Sequence, residues 1–238
     1  MNDLTSKPIL ISQEEGLYSF KKWLSSPLSA FFSQRRLDFR REENLKFLCQ
    51  KLGIERENLI LPHQEHRGNV GWVDLENKKF FSDALITKEP GLAIGILTAD
   101  CFPIFLYDPL TPAVGIVHAG WRSTKEEVLI NTILKMQRFF STRPPHLQVA
   151  IGPGIRKCCY EVKEDLRAYF SKHIQGRNGK LFLDLQSANL EQLHSLGIKE
   201  ENILDSGICS FCENQSFFSF RKEGENVGRT ISVIMLKK

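Results

Sequence analysis

Along residues 42–52, EENLKFLCQKL, apolar side chains recur at the spacing of one helix face: Leu45, Leu48, Cys49 and Leu52 fall together, and Gly53 follows as a stop. This predicts a helix with Cys49 in its core-facing stripe. A different pattern governs the middle of the chain. GLAIGIL, PIFLYD and AVGIVHAG are short, partly β-branched apolar runs bounded by Gly, Pro and Asp, with DPLTP turning between the last two. Such runs suit strands buried on both faces. HLQVAIGPGI reads as a further strand entering a glycine-proline turn. Ser123 with Glu126 three residues later predicts a capping box that starts the helix TKEEVLINTILKMQRFF. EVKEDLRAYFSKH and DLQSANLEQLHSLG predict two more helices, and FFSFRKEGENVGRTISVIML a C-terminal hairpin around a polar turn. Strands and helices mix throughout, without repeats, low-complexity stretches or a Pro/Gly/Ser-rich linker, so the expected class is α/β or α+β in one domain.

Length and charge narrow the function classes. A chain of 238 residues can bury a core without disulfides or metal staples. Its 32 Lys and Arg against 28 Asp and Glu leave a small excess, too thinly spread for a nucleic-acid face. The densest basic stretch, SQRRLDFRREENLKF, holds Arg35, Arg36, Arg40 and Arg41, one or two of which could serve a small anion, with Arg40 and Arg41 reading rather as a solvated helix start. Neither a leader-like N-terminus nor an uninterrupted apolar run of about 18 residues is present, which predicts a cytoplasmic protein without a membrane segment. No obligate protein partner is indicated. Six cysteines in a chain of this size read as thiols. Of these, CSFC (209–212) is a lone Cys-x-x-Cys, expected to be core or incidental, and the adjacent Cys158 and Cys159 are expected to diverge, so that at most one faces a pocket.

Chemistry gathers at the ends of the apolar runs. TADCFPIF places Asp100 and Cys101 before one strand, VHAGWR places His118 at the end of the next, and LPHQEHRG contributes His63 and His66. Open sheets collect ligands at strand ends. Two imidazoles and a thiolate form a familiar zinc set, and long spacings favour a catalytic over a structural site. The same residues also suit packing: Cys101 as a small hydrophobe, His118 bonded to a carbonyl, Asp100 capping a turn.

Five segments in order, FSDALIT, TADCFPI, VHAGWRST, IGPGIRKCCYEV and FFSFRKEGENVGR, resemble the multicopper polyphenol oxidase (laccase-like) family, also described as purine nucleoside phosphorylase or peptidoglycan editing factor. The resemblance spans about residues 30–236. It implies a laccase-like purine nucleoside phosphorylase domain over 30–238, with 1–29 as an N-terminal segment of the same domain. It further implies a mixed-sheet sandwich flanked by helices, similar to a Cys-His toxin deamidase fold.

The implied metal ligands are His66, Cys101 and His118, holding zinc, with copper at the same site as a variant. Cys101, His118 and Asp100 are the implied catalytic residues and Arg35, Arg122 and Tyr160 the implied substrate contacts. The implied substrates are a purine nucleoside and phosphate. Family members are similar in splitting adenosine, inosine or methylthioadenosine with phosphate and in deaminating adenosine. Cations available to phosphate are Arg35, Arg122, Arg156 and Lys157. The family's Thr-Arg-x-Gly-Gly segment stands here as SQRRLDF, with Arg35 aligned and both glycines absent. Two other functions remain open. A Cys101–His118 hydrolase or amidase acting in peptidoglycan precursor editing needs no metal. A copper polyphenol oxidase needs more histidines than the six present.

Overall fold

The computed structural model describes residues 10–13, 16–23 and 26–238. Residues 1–9 of the expected N-terminal segment lie outside them. Among the described residues fifteen strands, numbered in chain order, form three sheets. The first sheet runs β1 (Leu10–Gln13), β2 (Leu17–Phe20), β3 (Leu28–Ser33), β15 (Thr230–Leu236), β7 (Ala93–Thr98), β4 (Leu59–Ile60). In the second the order is β14 (Ile203–Asp205), β10 (Gln148–Ile151), β8 (Phe102–Asp108), β9 (Ala113–Ala119), β6 (Ala84–Thr87), β5 (Val70–Trp72). A small third sheet holds β11 (Glu161–Val162), β13 (Lys180–Leu183) and β12 (Ile174–Arg177). Six α-helices of the described residues accompany them: α1 (Glu42–Leu52), α2 (Trp121–Lys125), α3 (Val128–Phe140), α4 (Arg167–Phe170), α5 (Leu185–Ser195) and α6 (Phe220–Glu223).

Side-chain alternation builds the layers. On β8, Phe105 and Tyr107 point between the two large sheets, where they meet Phe20, Phe32 and Ile94 of the first sheet. Ile104 and Leu106 point the other way, onto Ile133 and Met136 of α3 and Leu193 of α5. The opposite face of the first sheet, with Ile231 and Val233, is covered by Leu45, Leu48 and Cys49 of α1. The result is helix, sheet, sheet, helix, which is why every position of β8 and β9 is buried. Among the described residues no helix is long and apolar enough to cross a membrane.

Three local expectations give way. The helix after HAGW starts at Trp121, with Gly120 as its N-cap, and Ser123 serves as the N3 residue whose hydroxyl accepts from the Gly120 amide at 3.0 Å. Glu127, at φ +57°, then interrupts it, so α2 and α3 are separate. The predicted helix over EVKEDLRAYFSKH is reduced to α4, because Glu161 and Val162 pair with Phe182 and Leu181 instead. The C-terminal hairpin is absent. Carboxylates take the amides that a ladder would use: Glu223 accepts from Ser219 N and Asp100 from Arg221 N, which closes the segment into α6 and leaves β15 to pair with β3 and β7.

Candidate active site

Strands β4 and β7 are parallel neighbours in the first sheet and leave it at the same end. Each then crosses to the second sheet, β4 to β5 through residues 61–69 and β7 to β8 through 99–101. His66 lies on the first crossover and Cys101 on the second. Gln64 clasps them together: its amide donates to Leu97 O at 3.0 Å and its oxygen accepts from Leu97 N at 2.9 Å. His118, one residue from the end of β9, stands opposite Pro103 at the start of β8. Strand order and one glutamine thus bring together three residues far apart in sequence.

The His66, Cys101 and His118 ligand atoms all lie within 4.8 Å of one another. The two imidazoles meet at nearly a right angle, ring centroids 4.8 Å apart. His118 is 2 % exposed, while Cys101 and His66 face a cavity of about 680 Å³, within the range of about 300–1,000 Å³ usual for small-molecule sites. Two imidazoles and one thiol are a donor set that fits a metal ion.

Asp83, which motif reading passed over, organises the site. Its Oδ1 accepts from His118 Nδ1 at 2.8 Å, leaving Nε2 for Cys101, with which the ring also hydrogen-bonds. Its Oδ2 accepts from the Arg67 and Glu65 amides at 2.7 and 3.3 Å, gripping the loop on either side of His66. His66 takes φ +59°, a conformation that a non-glycine residue keeps only when its surroundings impose it. Asp83 is fully buried. A carboxylate on the far nitrogen of a ligating histidine is the usual device for fixing its tautomer. The sequence signal was present: an acid directly before the buried run Ala84–Thr87.

Electrostatics follow from this packing. Burial alone would raise the Cys101 thiol, but the charge of His118 and hydrogen bonds from His118 and His66 outweigh it and hold the thiol at about 6. Burial alone would lower His118; the Cys101 charge and the Asp83 hydrogen bond raise it to about 9. The metal-free pair is therefore thiolate and imidazolium between those values.

Asp100 adopts φ +87° and spends its two carboxylate oxygens on one side-chain hydroxyl and one backbone amide. Ser210 Oγ donates to Oδ1 at 2.7 Å and Arg221 N to Oδ2 at 2.6 Å, which fixes the carboxylate beside Cys101. Arg122 and Tyr160 line the cavity. Arg35 does not: its guanidinium donates to Glu223 at 2.8 Å and to Asn214 O, and lies over Phe218. Arg156 is tied to Asp205 and Lys157 to Asp184, both away from the cavity. Cations that do line it include Arg40, Arg221 and Arg229. Arg40 is exposed just ahead of α1, as expected, and also borders the cavity, where Asp38 holds its guanidinium in place.

Gly120 is required by close approach. A Cβ there would sit 2.8 Å from Cys101 Sγ, inside any normal contact. Gly120→Ala is expected to push the thiol out of line and lower metal retention at least tenfold, with the fold kept, as read by metal analysis and circular dichroism.

The family description "Multi-copper polyphenol oxidoreductase laccase" matches residues 29–237. The chain belongs to this family. It is 35% identical to "Adenosine deaminase RL5" of an unknown prokaryotic organism over 209 residues, 80% of this chain and 79% of that protein. It is 33% identical to a "Purine nucleoside phosphorylase" of Bacteroides thetaiotaomicron over 214 residues, 82% of this chain and 79% of that one. The solved structure of YlmD from Geobacillus stearothermophilus superposes with a TM-score of 0.90 at 24% identity, covering 97% of this chain and 99% of that one, so the fold is shared.

Proposed function

We propose that the protein is a zinc-dependent purine nucleoside enzyme that splits adenosine, inosine or methylthioadenosine with phosphate and deaminates adenosine. The observation that carries this reading is one cavity in which an aromatic wall, a cluster of cations and a metal-ligating floor meet. Tyr160, Trp121 and Phe220 offer a planar base apolar surface, Arg229, Arg40 and Arg122 offer charge to phosphate, and His66, Cys101 and His118 lie beneath. The relatives' names point the same way.

Zinc would be held by His66, Cys101 and His118 and would supply Lewis acidity to the reaction. The chain's own residues do the rest. Asp83 keeps the His118 Nδ1 proton, so that Nε2 is the nitrogen that would give up its proton and face a metal. Asp100 fixes the Cys101 turn through Ser210 and Arg221. Arg122 stacks on Trp121, 4.4 Å from the ring centroid, which holds a charge on the cavity wall with no carboxylate ion-paired to it among the described residues.

The test supplies metal-loaded protein with adenosine, with and without phosphate, and identifies products. Free adenine with a ribose phosphate is expected only when phosphate is present, and inosine in both cases. Arg229→Gln is expected to cut the phosphate-dependent rate by about 10- to 100-fold, the value of one charge-assisted contact of about 1.5–3 kcal/mol, and to spare deamination. Arg35→Ala, outside the cavity, should change either rate only a few-fold. Fully loaded protein that leaves every purine nucleoside intact would remove the reading.

The thiolate–imidazolium pair favours one other reading, a metal-independent Cys–His hydrolase. Amide hydrolysis that survives chelation would support it. Oxidase chemistry of the multicopper type lacks ligands, since His173 and His194 pair with surface glutamates, His63 packs on Phe81, and no further group of imidazoles converges among the described residues.

A further inference from the structure

Four thiols converge outside the cavity. Cys158 and Cys159 lie in the turn after β10, and Cys209 and Cys212 in the turn after β14. All four sulfurs fall within 4.8 Å of one another, with Cys212 Sγ 3.3 Å from Cys159 Sγ and 3.7 Å from Cys158 Sγ. The Cys-x-x-Cys motif therefore has a partner pair that spacing could not reveal. Adjacent cysteines diverge on a strand. Here the Cys159 and Tyr160 amides both donate to Arg156 O at 2.9 Å, and this helical turn swings both sulfurs to one side, contrary to the expectation that they part.

The surroundings suit a cation held by thiolates. Zinc–sulfur bonds of about 2.3 Å give a tetrahedron with edges of about 3.8 Å, close to the 3.3 and 3.7 Å that separate Cys212 Sγ from the two neighbouring sulfurs. Cys209 Sγ accepts from the Arg156 amide at 3.5 Å and from the Cys212 and Phe211 amides. Amides turned onto the first sulfur of a Cys-x-x-Cys turn favour its thiolate form. Arg177 donates to Cys158 O at 2.8 Å and Lys222 to Phe211 O at 3.3 Å, so two cations flank the charge that four thiolates would leave on a divalent ion. Cys158 and Cys212 are exposed, which gives the ion a way in.

We propose that Cys158, Cys159, Cys209 and Cys212 form a second metal site, a closed four-thiolate zinc site. With four protein ligands it has no open position and is structural rather than catalytic. It fastens the turn carrying Tyr160 to the segment carrying Ser210, whose hydroxyl holds Asp100 next to Cys101. Zinc uptake here forms four Zn–S bonds and releases the thiol protons to solvent, with no change of oxidation state. The proposal does not depend on which reaction the cavity catalyses.

The test is metal analysis of full-length protein purified under reducing conditions with zinc supplied. Wild type is expected to hold two zinc ions per chain and Cys101→Ser one. Cys209→Ser with Cys212→Ser should lose the second ion while keeping the one at His66, Cys101 and His118. Should that double variant fail to fold, Cys158→Ser, an exposed change, serves instead: on the Cys101→Ser background its cobalt-substituted form should lose roughly a quarter of the sulfur-to-cobalt charge-transfer intensity, one Co–S bond of four. A Cys101→Ser protein that binds no zinc and shows its four thiols free to titration would overturn the proposal. Disulfides among these four residues in reduced preparations, seen by mass spectrometry, would overturn it as well.

Discussion

Asp83→Asn is expected to weaken metal retention by roughly 10- to 100-fold, although Asp83 would not touch the ion. An asparagine can satisfy only one of the carboxylate's two tasks. If its oxygen keeps the His118 Nδ1 proton, its amide nitrogen faces the Glu65 and Arg67 N–H groups, donor against donor, and the grip on the His66 loop goes. Leaving buried donors unpaired costs about 1–3 kcal/mol each. If the side chain flips, its nitrogen donates to Nδ1, the proton moves to Nε2, and the lone pair that should meet the metal is lost. Competition against a chromophoric chelator measures the affinity. Excess zinc should restore activity in the first case and not in the second, so the pair of measurements identifies the orientation. An unchanged affinity would mean that His66 and His118 hold their positions without Asp83.

How much of this was legible in the sequence depended on the range of the interactions. Helix α1 was readable to its stop because Leu45, Leu48, Cys49 and Gly53 signal within one segment, and Gly53 takes the left-handed conformation that ends a helix. Strands β7, β8 and β9 were readable because layers on both sides demand unbroken apolar runs. Cys101 and His118 stood out as polar residues terminating such runs. What was hidden required a partner distant in sequence. Arg40 was readable as solvated, but not as a cavity residue, because the cavity it borders is assembled with Cys101, His118 and Tyr160 from far along the chain. Cys158 and Cys159 looked divergent because the helical turn at Arg156 is set by packing. The absent hairpin has the same cause: nothing near Arg221 announces that Asp100, more than a hundred residues earlier, will take its amide.

Alkylation of metal-free protein is expected to single out Cys101 by its pH dependence. With the thiol held at about 6, modification by iodoacetamide should rise through that value and level off above it, whereas an unperturbed cysteine rises near about 8.5. The sign follows from the partner. His118 stays protonated up to about 9, so the stabilising charge is present throughout the rise and disappears only as His118 itself deprotonates. His118→Gln removes that charge and the midpoint should move up, towards the unperturbed value. The rate at neutral pH is the poorer readout, because a thiol of higher pKa is less ionised but intrinsically more nucleophilic, and the two effects largely offset each other. Zinc then separates the two readings of the site. A coordinated thiolate should resist the reagent until a chelator is added, and nucleoside turnover should vanish with the metal. If Cys101 instead reacts as fast in zinc-loaded as in chelated protein, the thiol is not a ligand. The Cys101–His118 pair would then be the catalytic centre in its own right, with His66 as a bystander on the crossover loop.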